Sequence, residues 1–232
     1  MNQSYSSQSY TPVSARAQEV RAAFISRTYM HLFGAILGFA AVEVFLFKNG
    51  LAEPIARTML SGSWLLVLGA FMVVGWLASR VAHNSTSQAA QYAALIGFVL
   101  AEAIIFVPML FIAQAIAPGV IESAAFVTLI GFTALTAIVY YTRKDFSFLG
   151  AVLRWAGIAA LLLIVAGVIF GFELGTFFSV AMIAFAGGAI LYDTSNVMHH
   201  YPEDRHVGAA LELFASVALM FWYVLRLFMS RD

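Results

Sequence analysis

Two acids set the chemistry of this chain. Asp193 sits near the end of an apolar run, Ala184-Phe-Ala-Gly-Gly-Ala-Ile-Leu-Tyr-Asp-Thr-Ser-Asn196, and Glu212 opens the last apolar run. Moving a charged group into hydrocarbon costs several kcal/mol, so each acid should face the protein interior and a partner. Two carboxylates at similar depth in a low-dielectric site cannot both ionise cheaply, so the pair could sense pH. Doubly ionised, it could attract a hard cation such as calcium. The alternative is that each acid pairs with a basic residue at its level, and Arg80 and Arg154 are then the candidates. The two readings are compatible if a proton opens an acid–arginine latch. Ser216, one turn beyond Glu212 on the same face, would line the same cavity.

Two more acids fall inside apolar runs. Glu102, in Ala101-Glu-Ala-Ile-Ile-Phe-Val-Pro108, is too far from either end to snorkel, so it is protonated or faces a polar cavity, where it could serve ion or pH sensing or gating; the alternative is a satisfied internal hydrogen bond. Glu43, near the end of the first run, can snorkel to the interface. Of the five histidines, three lie in His199-His-Tyr-Pro-Glu-Asp-Arg-His206, which reads as a wet polar loop rather than a metal site. Only His31 lies within a span, so an intramembrane zinc hydrolase lacks ligands. The only lysines, Lys48 and Lys144, lie in loops, so a retinal Schiff base in the last helix is excluded. No cysteine is present, which removes thiolate chemistry and disulfides. An enzyme is not expected, and no resident cofactor is called for. Scattered basic residues and a net charge of zero argue against nucleic acid as a partner.

The elements that hold these residues are membrane helices. The chain has 232 residues, 62% hydrophobic and 10% charged, against roughly a quarter charged in soluble domains. Several runs exceed about 18 apolar residues, enough to cross the bilayer as helices. The pattern predicts an all-α membrane protein with seven spans: 24–47, 63–78, 89–112, 120–141, 148–171, 176–196 and 209–229. Residues 1–20, rich in Ser, Tyr and Gln at their start, are expected to form a disordered cytoplasmic tail, with the bundle covering 21–232. Pro54 falls in the loop after the first span. Gly34 and Gly38, at i and i+4, suit close helix packing or, less commonly, homodimerisation.

Basic residues near the span ends give the orientation. Arg16, Arg21, Arg27, Arg80, Arg143, Lys144, Arg154 and Arg205 fall on the side of the N-terminus, and Lys48, Arg57, Arg226 and Arg231 on the other. This asymmetry puts the N-terminus in the cytoplasm and the C-terminus outside. The loops of the far side are short, so function must sit within the bundle or on its cytoplasmic face.

Three stretches resemble the Bax inhibitor-1 family, also called the transmembrane Bax inhibitor motif family. They are Tyr141-Thr-Arg-Lys-Asp-Phe-Ser-Phe-Leu-Gly150, Gly188-Ala-Ile-Leu-Tyr-Asp-Thr-Ser-Asn196 and Tyr223-Val-Leu-Arg-Leu227. The resemblance implies six helices packed around a central C-terminal helix. It also implies a pH-sensitive calcium leak, with aspartates on the sixth and seventh helices as sensor and a basic latch on the cytoplasmic side. Asp193 matches the first aspartate. Aligned on Arg226, the second falls at Ser216, and Glu212 would have to stand in from one turn nearer the cytoplasm. Serine there, with Thr-Ser-Asn after the acid and a Ser-Arg-Asp ending, resembles the bacterial YccA-type branch. That branch implies an inner-membrane partner of the membrane-anchored AAA protease FtsH, which it modulates without catalysis.

Overall fold

A computed structural model of the chain describes residues 11–116 and 118–230. A short 3-10 turn, Val13–Ala15, precedes α1 (Gln18–Lys48), α2 (Ala52–Ser61), α3 (Trp64–Asn84), α4 (Gln88–Ile116), α5 (Val120–Thr142), α6 (Leu149–Phe170), α7 (Gly175–His199) and α8 (His206–Met229). All but α2 are long and apolar enough to cross a membrane, which gives the seven expected spans. Large apolar side chains point outward, among them Phe177, Phe170 and Leu66, at 94%, 77% and 76% exposure. Such a surface would aggregate in water and suits lipid.

The extra helix α2 corrects the expected loop at Pro54. The proline is the third residue of α2, in the first turn, where backbone N–H groups have no helical acceptor and its missing donor costs nothing. Ala52 and Ala56 of α2 pack on Val107 of α4, with Leu46, Phe47 and Phe111 around them.

The bundle is built around α8. Leu211, Leu213, Phe214 and Leu225 are buried, and α1, α3, α4, α5 and α7 all pack against α8. The sixth spanning neighbour, α6, makes its main contact with α7 and lies on the periphery. In lipid such helices are held by close packing and hydrogen bonds rather than by escape from water. A glycine allows that packing where α8 meets α3, and another ends α6. A Cβ on Gly208 would lie 3.0 Å from the carbonyl oxygen of Ala82, so α8 can touch the α3 backbone only without a side chain there. Gly171, with φ +70°, closes α6 in the left-handed conformation that favours glycine.

Part of the expected tail is ordered. Residues 11–17 are part of the fold, Val13 is fully buried, and the helix then begins at Gln18. The rest of the expected tail, 1–10, lies outside the described residues.

Candidate functional site: a buried acid between the last two helices

The approach of α7 to its neighbours begins at Gly187 and Gly188. A Cβ on the first would meet Leu135 and Met220 at 3.4 and 3.7 Å, and on the second Leu153 at 3.4 Å. Between six and eight residues on, Asp193, Thr194 and Ser195 are all buried. Asp193 Oδ2 accepts a hydrogen bond of 2.6 Å from the hydroxyl of Ser216 on α8. The residue that stands where the family resemblance expects a second acid is therefore the direct partner of the first.

Glu212, one turn earlier on α8, has its own company. Its Oε1 accepts 2.6 Å from the Ser79 hydroxyl on α3, and His83 Nδ1 stands 3.6 Å from the same oxygen. The His83 Nδ1–H donates to the Ser79 carbonyl at 2.8 Å, so in the neutral ring Nε2 accepts from the Tyr201 hydroxyl at 3.0 Å. Glu212 is close enough to act electrostatically on Asp193, but each carboxylate is bonded to a separate hydroxyl. The site is thus a stepped polar column: Asp193 with Ser216 inside, Glu212 with Ser79 and His83 one turn nearer the end that carries the N-terminus.

Neither arginine expected as a latch reaches the acids. Arg80, exposed at the end of α3, lies over the Trp76 ring at 5.1 Å, and Arg154 is exposed on α6. Among the described residues no ion pair joins an arginine to Asp193 or Glu212. Long basic side chains near helix ends extend to the interface, and that freedom defeats a pairing argument based on level alone. Glu102 is buried on α4, two turns before Pro108, apart from the column. Glu43 does not snorkel: it lies on the buried stripe of α1, with both carboxyl oxygens enclosed and without a hydrogen-bond partner.

A second polar nest adjoins Asp193. The Tyr29 hydroxyl of α1 lies near Thr136 and Tyr140 of α5 and Thr194 of α7, without completing a hydrogen bond of normal geometry. The face carrying the N-terminus is tied together by Asp145. This carboxylate takes the Ser147 N–H at 2.8 Å and the Ser195 hydroxyl at 3.3 Å, and meets His200 Nε2 at 2.9 Å. Desolvation by itself would raise the Asp145 carboxyl, but the Ser147 hydrogen bonds and the His200 ring outweigh it and hold it down at about 2. Ser195 Oγ also accepts the Phe146 N–H at 2.8 Å, so the loop before α6 is pinned to the α7 turn that follows Asp193. The sequence offers His83 only as one of five histidines, and it does not single out Ser79, Tyr201 or Thr194. The i, i+4 spacing of Ser79 and His83 was the readable sign of a shared polar face.

A family model described as "Inhibitor of apoptosis-promoting Bax1" matches residues 21–232. The chain is 28% identical over 222 residues to the Golgi anti-apoptotic protein of vaccinia virus (strain Lister), covering 93% of this chain and 88% of the relative. It is 29% identical over 232 residues to Bax inhibitor 1 of Schizosaccharomyces pombe, covering 94% and 80%. It is 34% identical over 108 residues to the modulator of FtsH protease YccA of Escherichia coli K12, covering 45% and 49%. With seven apolar spans, α8 central among them, and a buried acid between α7 and α8, the chain belongs to the Bax inhibitor-1 family of multi-pass membrane proteins.

Proposed function

We propose that this protein is a pH-dependent cation leak, with calcium among the ions it passes, controlled by the protonation of Asp193. The observation that carries this reading is the 2.6 Å bond from Ser216 to a carboxylate enclosed between α7 and α8. Inside a low-dielectric bundle a carboxylate and a carboxylic acid differ by a full charge and by the direction of their hydrogen bonds, so the α7–α8 contact differs between the two states. Glu212, one turn nearer the N-terminal face and partly exposed, gives an arriving cation a first carboxylate before the buried one. The distribution of basic residues supports an inward-facing N-terminus, and the bacterial relatives support an inner-membrane location.

The test is calcium flux into proteoliposomes holding a calcium dye, measured from pH 6 to 8. Asp193→Asn is expected to abolish the pH dependence, and Ser216→Asp, which adds a second carboxylate, to shift it. Flux identical to wild type at every pH in both variants overturns the reading.

A second reading rests on the YccA relative, whose name makes it a modulator of FtsH protease. On this reading the protein binds a membrane-anchored AAA protease and alters its turnover of membrane substrates without chemistry of its own. Co-purification with the protease in mild detergent is then expected. Failure to co-purify, with unchanged substrate turnover after deletion, removes it.

A further inference from the structure

The segment before α1 is built into the bundle at a particular place. Val13 is fully buried in the same apolar cluster as Phe24, Ala82, Val197, Val207 and Ala209. Each of the last four belongs to a wall of the polar column. Ala82 lies between Ser79 and His83 of α3, Val197 is one turn beyond Asp193 on α7, and Val207 and Ala209 are the first turn of α8 before Glu212. Val13 therefore belongs to the apolar cluster on the N-terminal side of the two acids, and its turn packs on α1 and α7.

Polar contacts fix it there. The Val13 N–H donates to the Tyr201 carbonyl at 2.8 Å, the Ser14 hydroxyl donates to the His199 carbonyl at 2.7 Å, and Arg16 meets Glu203 at 3.6 Å. Tyr201 ties this attachment to the acids. Its ring stacks on Phe24 with centroids 6.3 Å apart, and its hydroxyl shares the hydrogen bond with His83, the ring beside Glu212. Among the described residues the segment inserts one small apolar side chain, Val13, and its ion pair to Glu203 is exposed, which is a modest anchorage next to that of a transmembrane helix. Segments held this lightly open locally while the rest of a fold stays intact.

We propose that residues 12–16 are a removable strap over the inner part of the column, and that its release admits water and ions past the partly exposed Glu212 to the buried Asp193. This rests on the leak reading for its purpose, but the seal itself is tested without measuring flux. The chain contains no cysteine, so Ser216→Cys creates a single thiol beside the buried Asp193. In full-length protein reconstituted into liposomes, the rate of its modification by a membrane-impermeant, charged methanethiosulfonate is measured. Three backgrounds are compared: the intact strap, Val13→Asp, and deletion of residues 2–16. A strap open for a minor share of the time predicts slow labelling when intact and labelling about tenfold or more faster in both altered backgrounds. The milder Val13→Ala, which keeps the backbone contacts, is expected to fall between them and guards against a misfolded deletion. Equal rates in all four proteins overturn the strap, and so does rapid labelling with the strap intact. Calcium flux through the same liposomes separates the two claims. Faster labelling without flux keeps the seal and removes the leak, whereas unchanged labelling removes the seal whatever the flux.

Discussion

An enclosed carboxylate with one donor depends heavily on that donor. Ser216→Ala leaves Asp193 without its 2.6 Å partner, and the cost of an unsatisfied buried polar group predicts a loss of about 1–3 kcal/mol, read as a lower melting temperature in detergent. Asp193→Asn in the same assay should cost less, because an amide can still pair with the hydroxyl. Sequence already placed Asp193, Glu212 and Ser216 in one neighbourhood, through the i, i+4 spacing on α8 and the depth of the acids. What it ranked poorly was the partner: charge attracts attention to arginines, whereas the nearest donors were two hydroxyls. Glu43 teaches a related lesson. Phe24, Thr28, Leu32, Ala35 and Glu43 form the buried stripe of α1, a helical periodicity visible in the sequence, and that face outweighed closeness to the span's end.

Helix contacts separate glycines that pack from glycines that do not. Gly208→Val would drive a branched side chain into the Ala82 backbone carbonyl, which cannot move without moving α3. The expected penalty is about 1–3 kcal/mol, with loss of folded material on gel filtration in detergent. At Gly34 an added Cβ meets nothing within 4 Å. Gly34→Ala should therefore leave the melting temperature equal or raise it, by up to about 1 kcal/mol from the helix preference alone. The spacing of Gly34 and Gly38 suggested a packed seam, but only Gly38 touches a neighbour within this chain, Val99 at 3.8 Å. All seven spans were legible because length and apolarity report them directly. The short helix α2 was not, because a proline in a first turn looks the same in sequence as a proline in a loop.

At the scale of the molecule, the face carrying the N-terminus is closed by loops that grip one another. Asp145 joins the segment before α6 to His200 beyond α7, and its carboxyl is held down from 3.8 to about 2. A depressed carboxylate stabilises the fold above its ordinary value, and that stability disappears as pH falls through about 4 towards 2. The Asp145 carboxylate therefore stays charged from pH 5 to 8 and supplies no switch in that range. Asp145→Asn is expected to destabilise the protein at pH 7 by less than about 1 kcal/mol, since the pair is nearly half exposed and screened. The difference from wild type should narrow below about pH 4 in thermal melts.

The central position of α8 also bears on how the protein is made. A ribosome releases α8 after the six other spans, so those spans enter the membrane before the element that most of them pack against. Until it arrives, Ser79 on α3 and Asp193 on α7 lack the partners that α8 supplies. Biogenesis therefore passes through an inserted but unclosed assembly, which quality-control proteases can distinguish from the finished one. A chain stopped at Asp204 should insert and then be degraded far faster than the full chain in a pulse-chase experiment.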